Sequence, residues 1–408
     1  MNFLILGIIL VMFLFELVVN VLNYQNRNKP MPENVKGLYD EEKYRKWLDY
    51  NMENFRFGLI SNGFSTVLLL ILLSSGFFGA LERLTDGMTT SSLLETLLFM
   101  GGFFIIQFVL GIPFSYYHTF VIEEKYGFNK TTQKTFVKDL VKNLVMTVIL
   151  GGGFVALIHS LFQAFSGNIW LFILGAYGGI VVIMLSIFML NGVFVRLFNK
   201  LTPLEDGSLK EKIDALGHRL GFEVKKIYVM DASKRSTKLN AFFSGLGKTR
   251  EVVLYDTLIE KSTEEQILAV LAHELGHATH KDTLKLLLTQ ILIIGVYVMA
   301  LGLALSVQSF HTAFGLSGIH VGFGLILLTV LIEPLGVPLG LLTNWFSRVY
   351  EYKADAFAAR EVSKEAMETA LKVLAVENFS NLTPHPFYVA LKYNHPTISE
   401  RLRAIENL

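Results

Sequence analysis

The sequence predicts a mainly α-helical, multi-pass membrane protein that carries a polar domain of helices and strands outside the membrane. Of its 408 residues, 52% are hydrophobic and only 17% are charged, whereas soluble domains carry about a quarter charged residues. Seven apolar stretches reach the roughly 20 helical residues that a hydrocarbon core requires. Two long polar blocks, at about 196–282 and 343–408, predict the polar domain outside the membrane.

The seven apolar stretches divide the chain into membrane and polar parts. They lie at roughly 2–22, 57–80, 93–119, 141–163, 169–195, 283–306 and 320–342. The first has no basic residue before it and no small-residue cleavage site, so we expect a retained membrane helix, not a signal peptide. We expect four regions along the chain: five membrane helices in 1–195, a first polar segment in 196–282, two more membrane helices in 283–342, and a second polar segment in 343–408.

The distribution of Lys and Arg predicts how these helices are oriented. Four regions are rich in Lys and Arg: 23–56, 120–140, 196–282 and the tail after 343. The loops that alternate with them are poor in these residues: 81–92, 164–168 and 307–319. Because basic loops stay on the cytoplasmic side, we expect an outside or lumenal N-terminus and a cytoplasmic C-terminus.

The polar blocks combine helical and strand patterns. Apolar residues recur at helical spacing from 209 to 220, and residues 224–231 alternate as a strand does. Residues 240–256 are typical of two short strands joined by a Gly-containing turn. Ser262, with Glu265 three residues later, predicts a capping box at the start of a helix. The second block begins with a helical run, 344–362, and we expect both blocks to pack into one cytosolic domain.

Composition excludes several kinds of site. The chain has no cysteine, which removes disulfides, thiolate metal ligands and a cysteine nucleophile, and leaves His, Asp and Glu as candidate ligands. Its net charge of +1 provides no whole-chain attraction for nucleic acid, so we expect no nucleic-acid partner.

The stretch LAHELGHATHKD, residues 271–282, predicts a metal-binding helix. Residues four apart lie on one helical face, so His273 and His277 can present two imidazoles to one zinc ion at about 2.0–2.1 Å. Glu274 is placed to take a proton from a zinc-bound water, whose pKa the metal lowers to about 7. The alternative is a pair of helix-surface histidines that bind no metal.

A catalytic zinc site needs a third protein ligand. His280 lies seven residues after His273, and a rise of about 10.5 Å along a helix is too long for one ion, so we expect His280 at the surface. Glu351 and Asp355 are again four residues apart, in SRVYEYKADAF. Glu351 can complete a His₂Glu site, and Asp355 can accept the free ring N–H of a ligand histidine. The alternative for this pair is a solvated acidic helix face.

HELGH followed by EYKAD resembles the CAAX prenyl protease 1 family of integral-membrane zinc metalloproteases, which are of the gluzincin type. Three other stretches resemble the same family: VIEEKYGFNKTT (121–132), LNAFFSGLGKTREVVLYDTLI (239–259) and HPTISERLRAI (395–405). Together they extend from the third membrane segment to the C-terminus, and seven helices match the family's number.

The resemblance implies a fold and a set of roles. In that family the membrane helices enclose a water-filled chamber, and a zincin-like α+β domain places one zinc ion near the cytosolic side. Carried over, the zinc ligands are His273, His277 and Glu351, and Glu274 is the general base. Asp355 is then an orienting residue or a proton donor.

Two further residues match the family's pattern. Asn240 lies in the segment that resembles a substrate-lining strand, so we expect it to position substrate. His395, at the start of HPTISERL, is expected to stabilise the oxyanion, with a structural histidine before Pro396 as the equal alternative. The ionisable residues Glu16, His118 and Glu333 fall within or at the ends of apolar runs, and we expect them to line the chamber or to form structural hydrogen bonds.

These observations favour a membrane-embedded zinc endopeptidase that removes the C-terminal tripeptide of prenylated CAAX proteins. Its partners would be the lipid bilayer and a peptide or protein substrate, with prenylation left open. We expect the bacterial inner membrane, where the same machinery would serve membrane-protein quality control, or the endoplasmic reticulum if the source is eukaryotic. From a different class, a transporter or lipid carrier with a structural metal site stays an alternative, although such a site normally has four protein ligands.

Overall fold

A computed structural model describes residues 1–222, 226–244 and 251–408. Within these residues, seven helices are long and apolar enough to span a membrane, which confirms the number predicted. They are α1 (Asn2–Asn26), α2 (Glu41–Ser74), α4 with a following π-helical turn (Ser92–Glu123), α5 and α6 joined by a π-helical turn (Gln133–Ala164), α7 (Ile169–Met189), α12 (Asp282–Ser306) and α14 (Val321–Glu361).

The remaining elements are short. The described helices among them are α3 (Phe77–Asp86), α8 (Asn191–Phe198), α9 (Ser208–Arg219), α10 (Asp256–Lys261), α11 (Glu264–Thr279), α13 (Gln308–Thr312), α15 (Lys364–Glu377), α16 (Pro386–Lys392) and α17 (Ile398–Glu406). The strands are β1 (Leu201–Pro203), β2 (Lys226–Met230), β3 (Ala241–Ser244) and β4 (Glu251–Tyr255).

The second membrane helix starts earlier than we predicted. It begins at Glu41 instead of 57, because the Asp40 side chain accepts a hydrogen bond from the backbone N–H of Lys43 at 2.7 Å and caps a polar first part. It ends at Ser74, since Gly76 adopts a positive φ of 75° before α3 begins. Hydropathy located the apolar part of this helix but not its polar extension.

The last membrane helix is also longer than predicted. α14 continues through 342 to Glu361, so the helical run expected at 344–362 is its extension and not a separate element. Pro334 and Pro338 lie inside α14, and each removes one backbone N–H donor without ending the helix. One continuous helix therefore carries the EYKAD residues from the membrane region into the polar domain.

The strands form one sheet in the order β1-β2-β4-β3. β2 and β4 are parallel, and β3 is antiparallel to β4, with Ala241 opposite Leu254. The predicted hairpin is present as β3 and β4, while its turn at 245–250 lies outside the described residues. β3 occupies an edge of the sheet, and α11 follows β4 through α10.

The capping box of α11 lies one residue later than we predicted. Thr263, not Ser262, is the N-cap: its side chain accepts from the backbone N–H of Gln266, and the Gln266 side chain accepts from the backbone of Thr263. Ser262 instead ends α10. Both Ser262–Glu265 and Thr263–Gln266 fit the sequence pattern, so only the backbone conformation separates them.

The two polar blocks share a single hydrophobic core. Its buried members come from α9, the sheet, α11, α14, α15 and α17. The segment before and inside the start of α2 contributes Val35, Tyr39 and Trp47, all at most 5% exposed. Separate apolar clusters hold the membrane helices together. The polar domain is consequently attached to the membrane helices through α2, α12 and α14.

Candidate metal centre

Two histidines of α11 direct their rings to one point. His273 is buried and His277 is partly buried, and their Nε2 atoms lie 3.2 Å apart. The spacing of four residues places both rings on the helix face that packs against α14. The sequence prediction that one helix presents both imidazoles together therefore agrees with the geometry.

Glu351 of α14 joins this pair. Its Oε1 lies 3.2 Å from Nε2 of His277, and its Oε2 lies 3.4 Å from Nε2 of His273. Gly276 allows the two helices to approach, because a Cβ atom there would be 3.1 Å from the Cα atom of Ala354. The glycine of HELGH thus has a packing reason, which the spacing of the ligands alone did not reveal.

The three side chains fit a zinc ion. Tetrahedral bonds of about 2.0–2.1 Å place neighbouring ligand atoms roughly 3.3–3.4 Å apart, close to the observed 3.2–3.4 Å. The Oε2 atom of Glu351 is buried without a hydrogen-bond partner among the described residues. Within the described ranges these side chains form the one group that satisfies a metal-site geometry, and two imidazoles with one carboxylate is a donor set typical of catalytic zinc.

The electrostatics of His273 also favour a cation at this point. Burial by itself would lower the pKa of His273, but its contacts with Asp355 and Glu351 outweigh that effect and raise the pKa to about 9. Two buried carboxylates on either side of one ring stabilise a positive charge, whether a proton or a metal ion.

Each ligand histidine contacts a carboxylate through its other ring nitrogen. Nδ1 of His273 lies 2.9 Å from Asp355, as the sequence predicted. Nδ1 of His277 lies 3.2 Å from Asp282, a contact that we did not predict from the sequence. Lys281, at a positive φ of 57°, turns the chain sharply and returns Asp282 towards α11. Two carboxylates thus orient the two rings.

Arg401 of α17 lies behind Asp355. Its Nε and one terminal nitrogen donate to the two carboxylate oxygens of Asp355 at 2.8 and 2.6 Å. The same terminal nitrogen lies 3.4 Å from Glu351. Arg401 and Asp355 are both buried, so this bidentate pair keeps the Asp355 charge compensated while the carboxylate holds His273.

Glu274 is next to the first ligand histidine on α11. It is partly buried, and its carboxylate makes no hydrogen bond with any residue in the described part of the chain. Burial raises the pKa of its carboxyl group, while the nearby histidines oppose this shift. A carboxylate with free acceptor positions and a raised pKa beside the ligand cluster is suited to exchange a proton.

His395 and Asn240 border the same cleft, which has a volume of about 440 Å³. Nε2 of His395 lies 3.2 Å from Oε1 of Glu351, so this histidine approaches the ligand cluster from the side of α17. Asn240 precedes β3, and its side-chain Oδ1 accepts a hydrogen bond from the backbone N–H of Ala241 at 2.9 Å. Both residues that the sequence associated with substrate therefore line one cavity next to the metal centre.

One of the other predicted residues has different surroundings from those expected. His280 is partly buried instead of lying at the surface, and its ring packs edge-on against Phe357 at 5.9 Å. It takes no part in the ligand group, as helix geometry predicted. Arg348, whose role the sequence did not indicate, donates to the backbone carbonyls of Val389 and Tyr393, at the end of the helix that leads to His395.

The ionisable residues of the apolar runs separate into two groups. Glu16 and Glu333 line one cavity of about 560 Å³ between α1, α2 and α14, together with Lys392, which forms an ion pair with Glu16 at 2.5 Å. His118 lies elsewhere, with its Nε2 3.0 Å from Asn54 Oδ1. A larger cavity of about 740 Å³ beside α2 and α4 contains none of the site residues, so convergence of ligands, not cavity size, identifies the site.

Comparisons with known proteins show which proteins the chain resembles. Residues 20–200 match a family described as CAAX prenyl protease N-terminal, five membrane helices, and residues 203–408 match peptidase family M48. The chain is 33% identical to the CAAX prenyl protease 1 homolog of Arabidopsis thaliana, covering 98% of this chain and 96% of that one. It is 29% identical to CAAX prenyl protease 1 of Saccharomyces cerevisiae over 98% and 94% of the two chains. The crystal structure of S. mikatae Ste24p is similar with a TM-score of 0.93, 30% identity and 99% coverage of both chains.

Proposed function

Because the chain belongs to the CAAX prenyl protease 1 group of peptidase family M48, and is a membrane-embedded metalloendopeptidase, we propose that His273, His277 and Glu351 bind its one zinc ion. The observation that carries this proposal is the convergence of α11 and α14: the two histidine Nε2 atoms lie 3.2 Å apart, and each lies 3.2–3.4 Å from one of the two carboxylate oxygens of Glu351. When bound there, zinc would polarise a peptide carbonyl and lower the pKa of a water molecule.

The chain's own residues perform the remaining steps. Glu274 accepts a proton from the attacking water and returns it to the leaving amine nitrogen, since its carboxylate has no competing hydrogen bond among the described residues. Asp355 and Asp282 hold the two ligand rings so that both Nε2 atoms face the same point. His395 donates its Nε2–H to the oxygen that becomes negative as the carbonyl is attacked.

The edge strand β3 is the proposed binding surface for the substrate backbone. A peptide can add to a sheet edge through main-chain hydrogen bonds, and β3 is the edge next to α11. Asn240 at the start of this edge and His395 across the cleft would contact the peptide on either side of the scissile bond. This arrangement supports cleavage of an extended peptide, whatever its side chains.

We further propose that the substrate is a membrane-held protein tail, with the C-terminal tripeptide of prenylated CAAX proteins as the model. The names of the relatives and the full-length similarity support this class. The catalytic side would face the cytoplasm, because the basic segments at 23–56 and 120–140 pack against the polar domain that contains the site. The membrane would be the bacterial inner membrane, or the endoplasmic reticulum in a eukaryotic source.

The test compares purified wild-type protein with Glu274→Gln at equal zinc content. We expect wild-type cleavage of a farnesylated CAAX peptide, and a loss of kcat of about 10²–10⁴-fold in the variant. Cleavage by Glu274→Gln at the wild-type rate would refute the proposed role. An unmodified peptide of the same sequence serves as the specificity control, and equal kcat/KM for both peptides would argue against a dedicated prenyl protease.

A further inference from the structure

Asn378, which follows α15, pairs with Leu239 as a neighbouring strand would. Its Oδ1 accepts a hydrogen bond from the backbone N–H of Leu239 at 2.8 Å, and its Nδ2 donates to the backbone carbonyl of Leu239 at 3.1 Å. A single side-chain amide thus satisfies both backbone groups of one residue. No proposed catalytic step uses Asn378, although it borders the same cleft as His395.

The sheet register shows which way the backbone of Leu239 points. The N–H of Tyr255, in β4, donates to the carbonyl of Asn240 at 3.1 Å, so the backbone groups of Asn240 face β4. Successive residues of an antiparallel strand direct their backbone groups to opposite sides. The backbone groups of Leu239 and Ala241 therefore face away from β4, towards the open edge of β3.

The open edge is covered differently at these two positions. Asn378 occupies both backbone groups of Leu239, whereas the N–H of Ala241 is covered, among the described residues, by the side chain of Asn240 alone. Asn240 is exposed, so its side chain can rotate away when a peptide arrives. An incoming strand would then find its first accessible partner at Ala241 and not at Leu239.

The surroundings of Asn378 keep it in place. Phe379, the next residue, adopts a positive φ of 52°, which a bulky side chain rarely does. Its carbonyl accepts a hydrogen bond from Nε1 of Trp47 at 3.2 Å, and its ring packs against Tyr39, Tyr50 and Phe128. The start of α2 thus stabilises an unfavourable turn that presents the Asn378 amide to Leu239.

We propose that Asn378 is a positioning residue that ends the substrate-accepting edge at Leu239. The inference rests on the proposed function, because it requires a peptide strand beside β3. Antiparallel pairing, which is the more stable arrangement per residue, directs the C-terminal part of the peptide past Ala241 towards Leu239. At that point the peptide leaves the sheet and enters the cleft of about 440 Å³, whose wall includes Asn381, Lys392 and His395.

The experiment uses peptide substrates in which one backbone amide at a time is replaced by an ester, which removes a single N–H donor. With wild-type protein, kcat/KM falls about 10-fold when the replaced N–H is the one that pairs with Ala241, since one hydrogen bond contributes about 1–1.5 kcal/mol. An ester two residues nearer the C-terminus removes the peptide N–H opposite Leu239. This replacement leaves kcat/KM unchanged, because the side-chain amide of Asn378 already donates to the backbone carbonyl of Leu239.

The variants separate positioning from a purely structural role. In Asn378→Ala the carbonyl of Leu239 becomes available, so the ester opposite Leu239 now lowers kcat/KM several-fold. Asn381→Ala is the matched control: it lies in the same cleft, but its Oδ1 accepts from the backbone N–H of Thr383 and not from the edge strand.

Zinc content and thermal unfolding show whether each variant is folded. Cleavage is attributed to the proposed active site only where it is lost when Glu274→Gln is introduced. The proposal is overturned if wild type is already sensitive to the ester opposite Leu239, or if Asn378→Ala and wild type give the same ester pattern. Cleavage that persists in Glu274→Gln would instead refute the proposed function, so the two failures are distinguishable.

Discussion

The carboxylate of Asp282 lies 3.2 Å from Nδ1 of His277, although α11 ends between the two residues. Lys281 adopts a left-handed conformation there, and the first residue of the next membrane helix thereby contacts a proposed zinc ligand. Lys285, one turn further along α12, lies 3.1 Å from the other carboxylate oxygen. The sixth membrane helix and the metal centre are thus joined through a single buried aspartate.

Replacing Asp282 tests this connection. We expect Asp282→Asn to lower zinc affinity about 10–100-fold, because the ring of His277 loses the carboxylate that orients it. Competition with a chelator of known affinity measures the effect. Lys285→Gln is the control: it leaves the Asp282–His277 contact in place, and we expect nearly unchanged zinc binding. Equal affinity of Asp282→Asn and wild type would contradict the proposed orienting role.

Arg401 provides a second prediction. Arg401→Ala leaves the buried Asp355 carboxylate without its bidentate partner, and breaking such a pair costs about 3–5 kcal/mol. Arg401→Lys should recover only part of this loss, because an ammonium group cannot donate to both oxygens in the same planar arrangement. Thermal unfolding in detergent measures stability. Full recovery in Arg401→Lys would show that charge alone matters at this position.

Gly276 tests the close approach of α11 and α14. A Cβ atom there would lie 3.1 Å from the Cα atom of Ala354 and 3.2 Å from Cβ of Phe357, so Gly276→Ala should separate the helices. We expect a destabilisation of about 1–3 kcal/mol and weaker zinc binding, because Glu351 would move away from the histidines. Gly63→Ala in α2 is the matched control, since among the described residues no atom outside the local backbone of its own helix lies within 4 Å of its added methyl group. Equal stability of the two variants would contradict the packing argument.

A fourth prediction concerns acid stability at Glu377. Burial alone would raise the pKa of this carboxyl group, but the hydrogen bond from Lys261 and the charge of Lys43 outweigh it and hold the pKa below its ordinary value. The stabilisation is therefore present above the unfolded pKa of about 4.3 and disappears as the pH falls through the lower folded pKa.

We expect wild type to exceed Glu377→Gln in thermal stability at pH 7, by less than about 1 kcal/mol because the pair is partly solvated. The difference should begin to shrink as the pH falls through about 4.3, and it should vanish only below the lowered pKa of the folded state, where the carboxyl group is protonated in both states. Unfolding temperatures of both proteins from pH 3 to 7 measure this. A difference that does not shrink between pH 5 and pH 3 would indicate a packing effect instead of a charge effect.

Local patterns in the sequence determined the number of membrane helices, the β3–β4 hairpin and the pairing of His273 with His277. These features depend on hydropathy, strand alternation and helix periodicity, which involve residues close together in the chain. Periodicity also placed Glu351 and Asp355 on one helix face. It could not show that this helix is the continuation of the last membrane span, because hydropathy falls at the membrane boundary although the helix does not end.

Only the tertiary structure decided which distant residues meet. Glu351 reaches the histidines because Gly276 lets two helices pack closely, and Asp282 returns to His277 through the left-handed turn at Lys281. The pairing of Asn378 with Leu239 joins residues 139 positions apart, and the intervening chain includes two membrane helices. Such contacts have no local signature, since they form only when packing of the whole core compensates the entropy of closing long loops.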